Sequence, residues 1–570
     1  MSYVTVALDE PVTPLTYRLT PATLLQAVPG AIVEVPFGRS AVHGIVLSQN
    51  RSVPAEIQSK IRPLIKTISA GPWVPPTTRS LAATLSAECG ESLGTCLFRL
   101  LPPLGKRSLK RLRPPQSMAG GRRLLCVGSH TERLDVYRSL IRHALEARQQ
   151  VIIVAPISRH QWLATHLAKI SHRITTVTAD LAPSQQRRVA DDVATGLVDI
   201  LIGTRHVVGW PAHALGLLIV DDPYHRAHVD DQRPYLDAAT IATARSQVSG
   251  GHCLLGLRTL TPALMLRSER SLITPIATKA VNISPSFHTP SSQSALVDSV
   301  CVTALQRSIA AGQRTVVVAP RHGWGGQLRC LDCGTVARCA HCHGELAVID
   351  PSHTLSCQNC GRHEHWPTLC SHCQGAQLRP SGIGTEAIRA WFNHHEPTLL
   401  DKGLEIVTEG AFDEPSQYGT VLFPSADSPL TSPDLNRPIR YLGAIREALG
   451  SAQAVFIVTA DPNQPWLRSL TSAQNLHPLL DEREAHHLPP YVRTVHLRGP
   501  AKSEPTVLTA IEATDWQRRD RRDDHVTVEV LLPNEQYRDW QQWIRTQLPR
   551  QWRVQSDSIL DHAFPLPVVR

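Results

Sequence analysis

The sequence predicts an α/β protein with two consecutive parallel-sheet lobes and a cysteine-rich insertion in the second lobe. From residue 123 onward, buried apolar runs such as RLLCVGS, QVIIVAP and LGLLIVDD alternate with segments long enough for crossover helices. That pattern is typical of a doubly wound layer. A second set of apolar runs begins with RTVVVAP at residue 314, and a dense group of cysteines interrupts it. The two sets predict two lobes in tandem.

The remaining segments predict two smaller domains. Before residue 103, short alternating stretches punctuated by Pro and Gly (VTVAL, TYRLT, GAIVEVPFG) predict a compact β-rich sheet or barrel, followed by a helical stretch. KRSLKRLRPP has five basic residues and no acid, and is typical of an exposed linker. Near the end, VRTVHLRG, VTVEVLL and a helical stretch around Trp540 and Trp543 predict an α+β domain.

These patterns set the expected domain boundaries. We expect a β-rich N-terminal domain, a basic linker, a first lobe, a second lobe with its insertion and an α+β C-terminal domain. The N-terminal domain is expected at 1–105, the linker at 106–120 and the first lobe at 121–275. The second lobe is expected at 276–482, with its insertion at 328–376, and the C-terminal domain at 483–570. A chain of 570 residues is long enough for several domains of ordinary size.

The composition is basic and dominated by arginine. The net charge is +9, and the 58 basic residues divide into 50 arginines and 8 lysines. Arginine favours bidentate phosphate contacts and stacking on bases, so the excess of arginine over lysine and the positive net charge are typical of a nucleic-acid-binding protein. A coding bias towards arginine would give the same ratio. No apolar run approaches the length of a membrane span, and the N-terminus lacks the pattern of a signal peptide. We therefore expect a protein of the reducing cytoplasm.

Eight of the thirteen cysteines form four CxxC pairs. Two CxxC hairpins place four thiolates around one tetrahedral ion, so four hairpins predict two structural zinc sites. The alternative, a disulfide cluster, does not fit a cytoplasmic protein. Nearby histidines are possible substitute ligands, although eight thiolates already saturate two sites. The pairs are Cys330 with Cys333, Cys339 with Cys342, Cys357 with Cys360, and Cys370 with Cys373.

The spacing of the hairpins favours a nested arrangement. Fourteen residues (343–356) separate the two middle pairs, which is close to the spacing of an ordinary zinc ribbon. One ion would then take Cys330, Cys333, Cys370 and Cys373, and the second Cys339, Cys342, Cys357 and Cys360. A cross-braced arrangement is not excluded by spacing alone. Neither site has an open position for substrate, so the zinc ions are expected to be structural.

Several motifs resemble those of the bacterial replication-restart helicase family, primosomal protein N-prime (PriA). They are RHGWGGQLRCLDCGTVARCAHC at 321–342, GIGTE at 382–386, VPFG at 35–38, GTRHVV at 203–208, LIVDD at 218–222 and HHLPPYVR at 486–493. The resemblance implies that the lobes are RecA-like helicase lobes and that the insertion is a nested zinc-ribbon module. It also implies that the N-terminal domain captures the 3′ end of a DNA strand at a replication fork.

The nucleotide motifs of that family are eroded. A phosphate-binding loop reads GxxxxGK[ST], but the corresponding segment here is CVGSHTERLDVY at 126–137. It keeps Gly128 and has Arg133 at the position of the lysine. The family's metal-binding DEEH is replaced by DDPY, which begins with Asp221 and Asp222. We therefore expect a degenerate nucleotide site without ATP hydrolysis; whether ATP and Mg²⁺ bind without turnover stays open. The family's winged-helix module also has no counterpart, since only about 20 residues separate LLPP from LLCV.

The resemblance also implies a DNA-binding pocket in the N-terminal domain. Thr16, Tyr17, Gly38 and Lys60 match pocket positions of the family, and Arg39 adjoins Gly38. Thr16 stands where the family has an acid, and its hydroxyl can still donate or accept a hydrogen bond. An ordinary strand aromatic at Tyr17 and a solvated surface lysine at Lys60 are the plain alternatives.

The sequence therefore predicts a replication-restart, primosome-assembly protein that recognises stalled or branched forks, 3′ ends and single strands. The expected partners are DNA, primosome and helicase-loading proteins and single-stranded-DNA-binding protein, with no membrane; the expected location is the bacterial nucleoid. One alternative is an active ATP-dependent helicase in which Arg133 acts as the lysine. Another is a zinc-ribbon interaction protein without a DNA role.

Overall fold

A computed structural model gives the arrangement of the elements. It describes residues 2–50, 52–69, 71–104, 121–230, 232, 234–278, 284–289, 296–341, 346–350, 354–357, 362–380, 383–430, 436–511, 514–521, 525–549 and 551–566. The expected basic linker at 106–120 lies outside these residues. In the described part of the chain, no helix has the length and apolar character needed to cross a membrane.

The N-terminal segment forms a five-stranded antiparallel sheet, in the order β2-β1-β4-β3-β5, followed by two helices. Backbone hydrogen bonds join residues 62–64 to β2, and β5 pairs with β3, so this segment links the two sides of the sheet into a barrel-like unit. Its elements are β1 (Tyr3–Leu8), β2 (Leu15–Arg18), β3 (Ile32–Phe37), β4 (Ser40–Asn50), α1 (Ala55–Gln58), β5 (Lys66–Thr67), α2 (Pro76–Cys89) and α3 (Leu93–Arg99).

The first lobe is a seven-stranded parallel sheet in the order β12-β6-β11-β10-β7-β9-β8. The apolar runs in the sequence form these strands because both faces of the sheet are covered. The elements are β6 (Arg123–Val127), α4 (His130–Glu146), β7 (Gln150–Val154), α5 (His160–Leu167), β8 (Ile174–Val177), α6 (Pro183–Ala194), β9 (Ile200–Gly203), β10 (Leu215–Asp221), α7 (Ala238–Ser249), β11 (His252–Leu257), α8 (Pro262–Glu269) and β12 (Thr274–Ile276).

The second lobe is a five-stranded parallel sheet in the order β13-β22-β21-β14-β20, and the cysteine-rich insertion follows β14. The insertion contains β15 (Leu328–Cys330), β16 (Leu346–Val348), β17 (Thr354–Cys357), β18 (His363–His365) and β19 (Leu378–Pro380). The lobe itself contains β13 (Ser286–His288), α9 (Ser299–Ala310), β14 (Val316–Ala319), α10 (Thr385–His395), α11 (Pro397–Asp401), β20 (Glu405–Thr408), β21 (Tyr418–Phe423), α12 (Asp427–Leu430), α13 (Arg437–Ser451), β22 (Ala452–Val458), α14 (Pro465–Arg468) and α15 (His477–Ala485).

The C-terminal segment adds a four-stranded antiparallel sheet in the order β24-β25-β23-β26. Its elements are β23 (Arg493–Pro500), α16 (Glu504–Ala510), β24 (Asp515–Arg521), β25 (His525–Leu532), α17 (Tyr537–Thr546) and β26 (Arg553–Ser556). Residues 557–566, which we call the C-terminal tail, then return to the lobes: Ile559 and Leu560 join the core of the first lobe and Ala563 joins that of the second.

The fold class is the predicted mixed α/β architecture with two parallel-sheet lobes. Some elements extend across the boundaries expected from the sequence. Helix α15 passes through the boundary at 482/483, and β19 continues the sheet of the insertion to Pro380, beyond residue 376. The C-terminal tail packs on both lobes rather than only on its own sheet.

Candidate functional sites

The segment that corresponds to a phosphate-binding loop connects β6 to α4. Ser129 is the N-cap of α4, and its backbone N–H donates to Glu132 Oε2 at 2.7 Å. A helix N-terminus normally offers its free N–H groups to an anion. Here a side chain of the same helix takes one of those donors. Glu132 is thus a capping residue, which the sequence pattern S-x-x-E could have indicated.

Arg133, at the position of the family's lysine, is fully buried and points into the protein. Its Nη1 donates to Gly128 O at 2.7 Å and to Glu447 Oε1 at 3.2 Å, and its Nε lies 3.3 Å from Asp221 Oδ1. The three partners come from the loop itself, from the second lobe and from the end of β10. Arg133 therefore holds together parts of the protein.

The two acids of the DDPY segment also bind side chains of the protein itself. Asp221 accepts from Tyr137 Oη at 2.7 Å and from Arg159, and Asp222 accepts from Arg159 Nη2 at 3.2 Å and from Arg258. Burial alone would raise the pKa of Asp221, but the nearby Arg159 and Arg133 guanidinium groups hold it below its ordinary value. Both carboxylates are thus ionised and already paired with arginines.

Two residues of the second lobe complete this cluster. Arg258 of the first lobe donates to Asp413 Oδ1 at 2.6 Å, and its Nε lies 3.8 Å from Glu447. We call the set the inter-lobe ion network. Its members are Arg133, Arg159, Arg258, Asp221, Asp222, Asp413 and Glu447. The four residues of the expected degenerate nucleotide site are therefore brought together, with Gly128 contributing only its carbonyl oxygen.

The first and last CxxC pairs meet in the insertion. Antiparallel pairing of β15 with β19 aligns Cys330 with Leu378, and this brings the two hairpins side by side. The sulfurs of Cys330, Cys333, Cys370 and Cys373 all lie within 4.8 Å of one another. Cys330 Sγ is 3.6 Å from Cys373 Sγ, and Cys333 Sγ is 3.7 Å from Cys370 Sγ. A tetrahedral ion with Zn–S bonds of about 2.3 Å requires S···S separations of about 3.8 Å. The four cysteines can hold a metal, and the donor set suits zinc.

Only half of the other expected zinc set is described. Cys339 and Cys357 are buried in the core of the insertion, with Cys357 at the end of β17. Cys342 and Cys360 lie outside the described residues. The histidines of β18, His363 and His365, are exposed.

The expected DNA-binding residues occupy β2 and the neighbouring turns. Thr16 and Tyr17 lie in β2, and the Tyr17 hydroxyl donates to Pro36 O at 3.2 Å. Tyr17 is buried, so its ring is part of the core of the domain. Gly38 occupies the turn between β3 and β4 with φ +58°, beside the exposed Arg39, and no heavy atom would lie within 4 Å of a Cβ there. Lys60 is exposed just after α1.

Arg62 is a residue of this surface that the sequence reasoning missed. Its Nη1 donates to the Gly38 carbonyl at 2.9 Å, and its backbone carbonyl accepts from Arg18 N–H in β2. The side chain therefore connects the turn at Gly38 with the segment that follows Lys60. Its position two residues after Lys60 was the available signal.

Comparisons with known proteins show a matching domain model and several similar proteins. Residues 4–102 match the family model of the PriA 3′DNA-binding domain (3′BD). The replication restart protein PriA of Treponema pallidum is 23% identical over 558 residues, which cover 84% of this chain and 84% of that protein. PriA of Chlamydia muridarum is 26% identical, and PriA of Thermotoga maritima is 24% identical. The chain is thus similar to PriA replication restart proteins, and residues 4–102 match the family model of their 3′DNA-binding domain.

The extent of the match differs between relatives. The alignments cover 46% and 54% of this chain for the Chlamydia and Thermotoga proteins, and only 37% and 47% of those proteins. Among solved structures, RecG bound to a three-way DNA junction aligns with a TM-score of 0.35 and 12% identity, covering 64% of this chain and 43% of that chain. The DUF1998 helicase MrfA bound to DNA aligns with a TM-score of 0.32 and 10% identity, covering 71% of this chain and 58% of that chain.

Proposed function

We propose that this protein binds branched or stalled replication forks through a free 3′ DNA end and recruits helicase-loading partners, without itself acting as a helicase. The observation that carries the DNA half is the match of residues 4–102 to a 3′DNA-binding domain. The exposed side chains of Arg39, Lys60 and Arg62 near the turn at Gly38 support it. Exposed cations attract the negatively charged phosphates of the DNA backbone.

The absence of motor activity is supported by the inter-lobe ion network. Phosphoryl transfer needs a lysine aimed at the β- and γ-phosphates and carboxylates free to hold Mg²⁺. Arg133 instead binds Gly128, Asp221 and Glu447, and the oxygens of Asp221 are taken by Arg159 and Tyr137. The rival proposal of an active helicase with Arg133 as its lysine would require all of these contacts to break.

The cysteine-rich insertion would serve as the surface for partner proteins. We propose two structural zinc ions, the first held by Cys330, Cys333, Cys370 and Cys373 and the second by Cys339, Cys342, Cys357 and Cys360. Measurement of metal content should return two zinc ions per chain, and a Cys330→Ser variant should return one. Single-stranded-DNA-binding protein and helicase loaders are the candidate partners.

A matched pair of variants tests the DNA half. Gly38 adopts φ +58°, which asparagine and aspartate tolerate best among residues with a side chain, and the space around it is open. Gly38→Asn and Gly38→Asp should therefore fold alike. Anisotropy with a labelled fork that ends in a 3′ hydroxyl should show near-normal affinity for Gly38→Asn and a loss of about tenfold or more for Gly38→Asp, because the added charge repels phosphate. Equal affinities would contradict the proposal, as would the absence of fork binding by the unaltered protein.

The non-motor half has its own test. Purified protein should release no phosphate from ATP above background, with or without single-stranded or fork DNA. Hydrolysis that DNA stimulates, and that an Asp221→Asn variant loses, would instead establish the helicase alternative. Fork binding without hydrolysis is the expected combination.

A further inference from the structure

Helix α13 of the second lobe packs closely against the former phosphate loop. Gly443, Glu447 and Gly450 follow one another at intervals of four and three residues and so lie on one face of the helix. A Cβ at Gly450 would lie 2.3 Å from the Ser129 side chain, and one at Gly443 would lie 3.2 Å from Arg258 Cδ. The two glycines thus bring the backbone of α13 into contact with the first lobe, and Glu447 projects between them.

The Glu447 carboxylate binds the N-terminus of α4. Its Oε2 accepts from the backbone N–H of His130 and lies 2.8 Å from His130 Nδ1, and its Oε1 accepts from Arg133 Nη1 at 3.2 Å. The side chain is almost fully buried. A backbone N–H at a helix start, together with a neighbouring cation, is the donor set with which such loops bind phosphate.

We infer that Glu447 is a tethered anion that takes the place of a nucleotide phosphate and holds the two lobes together in a nucleotide-independent arrangement. This inference goes beyond the proposed function and stands whether or not the chain binds DNA. The lobes of a motor approach and separate as nucleotide binds and leaves. In this chain the anion belongs to the second lobe, so closure needs no ligand.

Other contacts across the lobes act in the same direction. Arg159 Nε donates to Asp413 O at 3.1 Å, and Arg258 bridges Asp222 and Asp413. Arg446, one residue before Glu447, lies 3.5 Å from Glu132 Oε1. Glu447 nevertheless has a distinct role, because it is an acid of the second lobe that accepts from a backbone N–H of α4, whereas Glu132 caps its own helix. Without it, Arg133 keeps only Asp221 as an acidic partner within the network, and the His130 N–H at the start of α4 loses its acceptor.

The inference predicts that removal of the Glu447 charge exposes an anion site. In Glu447→Gln the amide oxygen can still accept from His130 N–H, but the negative charge is gone. Hydrogen exchange of a peptide that covers residues 129–134 should be at least tenfold faster than in the unaltered protein. Millimolar inorganic phosphate should slow that exchange and raise the midpoint of thermal unfolding in the variant, and do neither in the unaltered protein.

A second acid of the same lobe provides the control. Glu409 pairs with Arg437 at 3.3 Å within the second lobe, so Glu409→Gln loses an ion pair without opening the α4 site. Its 129–134 exchange should stay normal and phosphate should have no effect. Unchanged exchange and no phosphate effect in Glu447→Gln would overturn the inference. If that variant does not fold, Glu447→Asp serves instead: its shorter carboxylate withdraws from His130 N–H, so exchange of 129–134 should be faster than in the unaltered protein, and unchanged exchange would overturn the inference. Protection of 129–134 by Mg²⁺ and ATP in the unaltered protein would also overturn it.

Discussion

Arg133 shows how a single residue changes the chemistry of a loop. An ammonium on a flexible stem can reach out to a phosphate, whereas a planar guanidinium carries five N–H donors in a fixed fork. In this protein the fork is directed inward, where Gly128 O, Glu447 and Asp221 accept from it or pair with it. At the position where the resemblance implies a phosphate-binding lysine, Arg133 therefore supplies a structural contact.

Arg62 provides the first prediction at this scale. Its side chain is exposed, and it fixes the turn at Gly38 through the carbonyl oxygen. Arg62→Ala should weaken binding of a 3′-ended DNA about tenfold and lower the slope of log K against log salt by about 0.7 to 0.9, the value of one phosphate contact. Anisotropy titrations at several salt concentrations measure both quantities.

The control for Arg62 is Arg314→Ala, which removes an exposed arginine of the second lobe that is paired with Glu405. It should change neither the affinity nor the slope. An Arg62→Ala protein whose affinity falls while its salt slope stays the same would show that Arg62 only shapes the turn.

Asp557 gives a prediction about pH. Burial raises its pKa to about 8, although Arg493, 3.6 Å away, acts in the opposite direction and is itself shared with Glu88. The folded protein therefore keeps a proton on Asp557 that the unfolded chain releases near pH 3.8. The contribution of this group to stability falls as the pH rises from about 4 to about 8, by up to about 1.4 kcal/mol per pH unit.

Asp557→Asn keeps the neutral form at every pH and should remove this decline. Between pH 5 and pH 8 the midpoint of thermal unfolding should fall less in the variant than in the unaltered protein, and the two curves should separate further as the pH rises. Parallel curves would show that Asp557 is ionised in the folded protein. Asp561 is also buried and its pKa is raised, to about 7, so some pH dependence remains in the variant.

At the scale of elements, the strands and the meeting of the first and last CxxC pairs were predictable because their signals are local. The apolar runs that form β6, β7 and β10 each bury both faces, and a CxxC pair determines its own turn. The inter-lobe ion network was not predictable. Arg133 and Glu447 are 314 residues apart, and a lone glutamate on an amphipathic helix has no local pattern that distinguishes it from a solvated one.

Helix α13 leads to a prediction about stability in which a glycine-to-alanine substitution has the opposite effect to the usual one. Replacement of a helical glycine by alanine normally stabilises by about 0.5–1 kcal/mol. Gly450→Ala should instead destabilise by about 1–3 kcal/mol, because the new Cβ lies 2.3 Å from Ser129 and the packing must give way. Urea unfolding monitored by tryptophan fluorescence measures the change in the free energy of unfolding.

Gly443→Ala on the same face is the matched comparison. Its Cβ meets Arg258 Cδ at 3.2 Å and Arg258 Cβ at 3.3 Å, so the neighbour has to give by only a few tenths of an ångström. The cost at Gly443 should therefore be smaller than at Gly450. If both variants gain stability, α13 does not press against the first lobe as the structure shows.

At the scale of the whole molecule, segments distant in sequence meet at shared junctions. Arg493 at the start of β23 pairs with Glu88 in α2, and Gln541 of α17 donates to the Glu88 backbone. The C-terminal sheet is thus joined to the N-terminal segment, while the ion network joins the lobes. Each part receives contacts from another part, so mutations at one junction are expected to affect elements far away in sequence.

The C-terminal tail gives the last prediction, because it touches both lobes. Tyr224 of the DDPY segment donates to Leu560 O at 2.8 Å, and Arg267 of α8 donates to Phe564 O at 2.8 Å. A chain that ends at Ser556 loses these bonds, at about 1 kcal/mol each, together with the burial of Ile559 and Leu560, at about 1.5–3 kcal/mol each, and of Ala563, at about 0.8 kcal/mol. It also exposes Arg267, which is buried against the tail.

Hydrogen exchange in α8 should become at least a hundredfold faster in the shortened chain. The Tyr224→Phe variant removes one hydroxyl and should accelerate exchange in α8 only about fivefold, since the loss of about 1 kcal/mol corresponds to that factor. If α8 stays protected in the shortened chain, the tail follows the lobes without stabilising them, and the ion network and the packing of α13 and α8 between the lobes hold the arrangement.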